Sequence, residues 1–464
     1  MSRSLHELSA VALAQQYRAG TLSPVEATQA VLDRIAKCED KVNAMYFVTA
    51  DDALETAKAA EARYRAGEPL GPMDGVPITV KDIIASAGHP TPSGTSAADL
   101  DKLETDDAPP TARVKEAGCV IVGKTTMPDL GMLSSGVSSL HGTTRNPWDL
   151  SRNTGGSSSG AGAALAAGYG PLALGTDIGG SVRLPAAACG VFAHKPSLGR
   201  IPIYPPYWGR TTGPMTRTVT DSMLLMSALT KPDARDYMCL PPADDDYAGA
   251  APMPLKGLKI GLVRNIGIGL EPTDEMLGAL DGAARAMEAA GAIVEPVDPF
   301  LTRSMLDGLD LLFRSRALGD LEKRGPEKAA KVLPFIAEWA QGAKGRTAVE
   351  LAEAVNQIMA MRDAAVSTTE PYDFLLLPTS PIPAYDADEP CPGSDPAKPF
   401  EHITYTAAFN QSEQPAASLN WTYTSGGLPL GIQIVGHRFD DLGVLRLMLS
   451  LEEMRPEQRP LPEL

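Results

Sequence analysis

Paired cysteines, basic patches and long apolar runs are all missing from this chain, and each absence removes a class of protein. Its five cysteines, Cys38, Cys119, Cys189, Cys239 and Cys391, are odd in number, far apart and without a Cys-x-x-Cys pair. Such usage offers no disulfide framework or zinc knuckle and suits a reducing compartment. Lys and Arg total 41 against 57 Asp and Glu, a formal net charge of −16. Nucleic-acid partners need basic patches that neutralise phosphates, so none is expected, and a small neutral or cationic ligand is the easier guest. The longest apolar stretch, 161 to 175, is short and broken by Gly and Pro, and the opening "MSRSLHELSA" has no apolar core. A cytoplasmic protein without membrane association is therefore expected.

What remains is ordinary globular material. Hydrophobic residues make up 44% of the 464 residues and charged residues 21%, enough apolar side chain to fold one dominant domain with embellishments. Gly (43) and Pro (40) are above average and belong to loops and tight turns. Ser4-Leu-His-Glu7 and Ser23-Pro-Val-Glu26 read as capping boxes, Gly20 as a helix stop, and a third helix runs roughly 51 to 65, closed by Gly67. Short apolar runs then alternate with helical stretches: "VPITV" (76–80), "CVIVG" (119–123), an Ala-rich helix near 158–167, "LKIGLV" (258–263), "AIVEPV" (292–297), "FLLLP" (374–378) and "GIQIVG" (431–436). Strands apolar throughout and alternating with helices predict an α/β core whose sheet is covered on both faces. The segment 302–369 reads as a helical excursion over that core.

Three stretches compete to carry chemistry. "GCVIVGKTT", Gly118 to Thr126, satisfies the phosphate-loop formula, with Lys124 as its lysine. That loop needs its strand before the first glycine, whereas here Cys119 to Val122 is itself the strand and Pro128 stands where the nucleotide-binding helix should start. "GSSSG", Gly156 to Gly160, matches G-x-S-x-G with Ser158 as nucleophile, and His194, His402 and His437 lie downstream. An esterase elbow needs a buried strand immediately upstream, and "RNPWDLSRNTG" is polar and turn-rich. The third stretch is "GTDIGGSVRLPAAACG", 175 to 190, where Ser181 follows two glycines. Gly179 and Gly180 free the backbone to turn N–H groups inward, so Ile178, Gly179, Gly180 and Ser181 are candidate oxyanion donors; a plain Gly-Gly turn is the rival account. A serine needs a base, and a lysine made neutral by burial can be one. Lys81, directly after "VPITV", has the neighbours of a buried strand end, although most lysines merely snorkel to water.

Together, "GGSSSGAGAALAAG" and "GTDIGGSVRLPAAACGVFAHKPSLG" strongly resemble the amidase signature family, as do "GPMDGVPITVKDI", "VIVGKTTMPDLGM", "NPWD", "GPMTRTVTDS", "QPAASLNW" and "GLPLGIQIVG". The similarity covers essentially the whole chain. It implies a large mixed, mostly parallel central sheet with helices on both faces, and a single domain over 1–464 with N-terminal helices to about 67. It further implies a Ser–Ser–Lys triad: Lys81 as base, Ser157 as relay entered through a cis peptide, and Ser181 as nucleophile. Gly131 is implied as a contact facing the nucleophile. One departure is Ser159, where the family's loop has glycine. Asp177 and Arg183 are expected to form a structural ion pair bracing the turn.

The expected activity is hydrolysis of a small or aryl amide through an acyl-enzyme, with anilides, carbamates and esters open to the same chemistry, and with no metal or cofactor. "PDLGMLSSGVSS" (128–139), "YPPYW" (204–208) and the region of Tyr405 and Phe409 are candidates for the substrate pocket. The family's alternative is the glutamine-hydrolysing component of an aminoacyl-tRNA amidotransferase. Because 302–410 lacks the Tyr-Asp-Gly-type segment associated with that component, the preferred reading is a stand-alone hydrolase, monomeric or homodimeric.

Overall fold

Ser23 accepts the Glu26 N–H at 3.1 Å while the Glu26 carboxylate accepts the Ser23 N–H at 2.8 Å, closing a capping box at the head of helix Pro24–Val42. The box at Ser4–Glu7 heads only a single turn, Leu5–Glu7, because Leu8 is extended; the first α-helix, Ala10–Ala19, starts from Ser9 and stops at Gly20, φ +67°. Helix Ala50–Ala66 ends the same way at Gly67.

The computed structural model describes residues 4–464. Their main sheet has eleven strands, in spatial order Met45–Val48, Val120–Thr125, Pro77–Lys81, Leu172–Asp177, Thr211–Thr216, Phe192–Lys195, Ala416–Tyr423, Pro429–Val435, Phe374–Pro378, Lys259–Leu262 and Ile293–Pro296. It is the large mixed sheet expected, but the balance differs. Four neighbouring pairs are parallel and six antiparallel, with the antiparallel pairs filling the centre. Parallel neighbours need a crossover, whereas Ala416–Tyr423 and Pro429–Val435 are joined by a short turn that permits only a hairpin. An antiparallel strand buried on both faces is apolar throughout and mimics a parallel one in sequence.

Both faces are indeed covered. Along Phe374–Pro378, Phe374 and Leu376 join a cluster with Ile78, Val80, Leu172 and Leu174, while Leu375 and Leu377 join a second cluster on the other side with Trp339 and Ile358. Alternation along the strand sends successive side chains into opposite layers. Each fully buried Leu or Ile contributes about 1.5–3 kcal/mol, so both layers packed on the sheet add to stability. The second layer comes from the polar-faced segment: helices Arg303–Arg324, Pro334–Ala340 and Ala348–Thr369 bury Leu306, Leu309, Ile336, Trp339, Ile358 and Met361. Among the described residues no helix is long and apolar enough to cross a membrane.

Candidate active site

Lys81 ends Pro77–Lys81, a strand buried at every position, and is itself fully buried. Its Nζ lies 2.9 Å from Ser157 Oγ, 3.0 Å from Ser158 Oγ and 2.9 Å from Thr176 Oγ1, three hydroxyls and no carboxylate. Burial pushes its pKa down to about 7, against the opposing charges of Asp177 and Asp82. A neutral amine keeps a lone pair, which one hydroxyl must satisfy by donating. Ser158 is tied elsewhere: its hydroxyl donates to the Thr176 carbonyl at 3.2 Å and accepts the Thr176 N–H at 3.3 Å. Ser157 Oγ and Thr176 Oγ1 each have Lys81 as their sole hydrogen-bond partner among the described residues, so both hydroxyls are free to exchange a proton with it, and Ser157 is the one that the family resemblance assigns to the relay.

The loop that delivers Ser157 is crowded. The Gly156–Ser157 peptide is cis, and a Cβ on Gly156 would approach the Ser135 backbone N and O to 2.5 Å, which explains the glycine. Ser159, the departure from the family pattern, is accommodated in the buried first turn of helix Ser159–Ala167, its hydroxyl 3.5 Å from the Thr126 carbonyl. Gly131, φ +66°, faces Ser157: a Cβ there would stand 3.6 Å from Ser157 Oγ.

Ser181 occupies the turn between strand Leu172–Asp177 and helix Arg183–Cys189, at 8% exposure, and its hydroxyl makes no hydrogen bond among the described residues. The turn is fastened by Asp177, which accepts Gly180 N–H at 2.8 Å, Val182 N–H at 3.1 Å, Arg183 Nε at 3.1 Å and Arg183 Nη2 at 3.0 Å. Burial alone would favour the protonated acid, but Arg183 holds the Asp177 carboxyl well below the usual carboxylate range. Arg183 also donates to Asn410 Oδ1 at 2.6 Å and Gln433 Oε1 at 2.7 Å, the buried brace expected from the sequence. Thr406 Oγ1 donates to Gly179 O at 2.7 Å, so Thr406 and Asp177 grip opposite ends of one peptide.

That grip corrects the donor set. The Gly180 N–H is already given to Asp177 and is not free for an oxyanion; the N–H groups of Ile178, Gly179 and Ser181 have no acceptor among the described residues. The reason is local, since a carboxylate three residues before Gly180 captures the first N–H that turns inward.

Ser181, Ile178 and Gly179 line a cavity with Gly131, Met132 and Leu133, closed by Leu309 and Phe313 of the excursion and by Phe400 and Ile403. Among the described residues no charged side chain lines it. Residues 131–134 of the expected loop therefore reach the cavity, but Tyr405 and Phe409 are core and 204–208 lies outside its lining. Sequence reasoning missed Thr176, which sits in "GTD" four residues before Gly180, and Leu309, Phe313, Phe400 and Ile403, which have no local signal.

The rival motifs dissolve in the fold. Gly123, Lys124 and Thr125 lie inside strand Val120–Thr125, leaving no phosphate loop, and buried Lys124 donates to the Ile84 carbonyl. Among the described residues no histidine bonds Ser158: His194 meets Asp441 at 3.3 Å, His437 meets the Tyr372 carbonyl at 2.8 Å, and His402 packs on the Tyr385 ring.

A family profile described as Amidase matches residues 26–445. The chain is 33% identical to a glutamyl-tRNA(Gln) amidotransferase subunit of Moorella thermoacetica, covering 99% of each chain. It is 31% identical to the acylamidase of Rhodococcus erythropolis, over 98% of this chain and 97% of the other. Among solved structures, a bacterial aryl acylamidase of the amidase signature family superposes with a TM-score of 0.90 at 28% identity over 97% of both chains. A 6-aminohexanoate cyclic dimer hydrolase superposes with a TM-score of 0.89 at 27% identity over 99% of both.

Proposed function

The chain belongs to the amidase signature family and is an amidohydrolase acting on carbon–nitrogen bonds, and from that premise we propose that it cleaves small amides with apolar or aryl groups through an acyl-enzyme on Ser181. Ser157 takes the proton of Ser181 Oγ and passes its own to neutral Lys81 as Oγ attacks the amide carbonyl carbon. The N–H groups of Ile178, Gly179 and Ser181 receive the developing oxyanion. Lys81 then returns a proton through Ser157 to the leaving nitrogen, the C–N bond breaks, and water hydrolyses the acyl-enzyme by the same relay. The Ser157–Ser181 hydrogen bond is not made in the resting site; such bonds commonly tighten only when substrate binds.

The observation that supports the mechanism most strongly is Lys81, buried against Ser157 with its basicity lowered to about 7. The substrate class rests on the uncharged cavity beside Ser181. Relatives named for their part in glutamyl-tRNA(Gln) amidotransferase are as similar to this chain as the acylamidase, so glutamine hydrolysis within an assembly is the competing reading. Glutamine carries an α-ammonium whose burial calls for an acidic partner, and this cavity supplies none. Carbamates and esters present the same carbonyl and belong to the proposed range. The free cysteines suit the proposed cytoplasmic setting, and the strands that one sheet recruits from residues 45 to 435 suit a single catalytic domain; a monomer or homodimer that needs no cofactor is part of the proposal.

Labelling with a serine-directed fluorophosphonate, mapped by mass spectrometry, tests the nucleophile. Label is expected on Ser181 and lost in Lys81→Ala; label on Ser158 that persists in Lys81→Ala would overturn the triad. Initial rates on 4-nitroacetanilide and on glutamine test the substrate class, and glutaminase activity without anilide turnover would reverse it.

A further inference from the structure

Two arginines beside the candidate site, Arg210 and Arg316, make no ion pair among the described residues. Arg316 stands three residues after Phe313 and seven after Leu309 on helix Arg303–Arg324, the spacing that places all three on one helix face, and Leu309 and Phe313 line the Ser181 cavity. Arg210 directly precedes Thr211, the partner of Asp177 across the sheet, so it lies at the level of Ile178, a lining residue of the same cavity. The two guanidinium groups share Tyr207: the Arg316 carbon lies 4.2 Å from the ring centroid and that of Arg210 5.8 Å. Among the described residues the Arg210 guanidinium donates only to the Pro205 carbonyl, and the Arg316 guanidinium donates to no acceptor.

In a chain of net charge −16 that is unusual, because carboxylates are in excess. Asp320, one turn beyond Arg316, makes no ion pair with it among the described residues. Asp236 attracts Arg210 through space but makes no ion pair with it among the described residues, its carboxylate being engaged by the N–H groups of Ile203 and Met238 at 2.9 and 2.8 Å. Arg316 and Arg210 also repel each other, and this repulsion, after burial, helps to lower the Arg210 pKa to about 10. An anion between them would relieve the repulsion. A guanidinium offers a planar fork of donors that matches a carboxylate, and Tyr207 holds both forks in place at little entropic cost.

We propose that Arg210 and Arg316, held on Tyr207, form a carboxylate-binding subsite, and that this hydrolase prefers amides with an apolar stretch at the scissile bond and a carboxylate at the far end. The proposal rests on the amidase reading above and narrows its substrate class. The carboxylate belongs either to the acyl chain or to the leaving amine, and both arms are testable with matched pairs. Glutaryl-4-nitroanilide against pentanoyl-4-nitroanilide varies the acyl end, and 4-acetamidobenzoate against 4-methylacetanilide varies the leaving group.

The quantity read is the ratio of kcat/KM within each pair. In the wild-type enzyme one pair is expected to favour its carboxylate member at least tenfold, through KM. Arg316→Met and Arg210→Met should each lower that ratio about tenfold or more, and Arg316→Lys should restore part of it, the size expected for hydrogen bonds to a charged group. The ratio cancels any effect that Arg210, whose charge also acts on Lys81, has on the relay itself. Ratios below tenfold for both pairs in the wild type, or ratios unmoved by both arginine changes, would overturn the subsite. Should the wild type turn over none of the four compounds, the amidase reading of the substrate fails separately. Calorimetric binding of glutaryl-4-nitroanilide and 4-acetamidobenzoate to Ser181→Ala then decides the subsite: affinity for either that weakens tenfold in Arg316→Met sustains it, and no such dependence refutes it.

Discussion

Lowering the pH from 8 to 5 should silence this enzyme in a manner set by one side chain. Only neutral Lys81 can take the proton that Ser157 relays, and the amine titrates at about 7 because it is buried among three hydroxyls. The neutral fraction is then about 91% at pH 8, about 9% at pH 6 and about 1% at pH 5, so kcat/KM should fall about 90-fold across the range with a limiting slope of one. The assay is initial rates of 4-nitroaniline release from 4-nitroacetanilide in buffers of constant ionic strength, with circular dichroism verifying the fold at each pH. Because burial lowers the basicity of Lys81, activity rises as pH passes through 7 and then reaches a plateau. A profile flat between pH 5 and 8 would refute Lys81 as the base. An inflection near the ordinary lysine value would refute the claim that burial prepares it.

Ser157→Ala should lower kcat by about 10²–10⁴, the usual worth of a proton-transfer partner, whereas Ser158→Ala should act mainly on stability, costing about 1–3 kcal/mol in urea denaturation for the orphaned Thr176 groups. Arg183→Met leaves Asp177 charged and unpaired in the interior and should cost about 3–5 kcal/mol by the same measurement. Lys195, fully buried with its pKa pushed down to about 7 by burial, is protonated in the unfolded chain but neutral in the folded one between about pH 7 and 10. Folding then releases a proton, so stability rises with pH there, and Lys195→Met should remove about 1.4 kcal/mol per pH unit from that slope, measured by urea titrations at pH 7.5 and 8.5.

How much of this was legible beforehand depended on how local each signal was. Lys81 could be found because the apolar run "VPITV" ends on it, and a lysine at the end of a buried strand has no water to reach. Ser181 and its Asp177–Arg183 brace sit within seven residues of one another. The three consecutive serines from 157 to 159 could not be told apart by composition; resemblance selected Ser157, and only the Thr176 bonds explain why Ser158 is occupied. The spent N–H of Gly180 was equally invisible, since a Gly-Gly turn does not reveal which peptide a nearby carboxylate will capture. The sheet's antiparallel centre and the cavity wall from Leu309, Phe313, Phe400 and Ile403 were hidden for another reason: both depend on segments hundreds of residues apart meeting in space.

The brace around Ser181 also sets a timetable. Asn410 and Gln433, which accept from Arg183, and Thr406, which donates to the Gly179 carbonyl, are made more than 200 residues after the serine they steady. A chain emerging from the ribosome therefore carries Ser181 long before it carries the outer part of the brace that steadies it. Until the hairpin strand Pro429–Val435 and helix Thr404–Gln411 arrive, the turn at Ser181 has only its local hold on Asp177 and lacks the distant half of its brace.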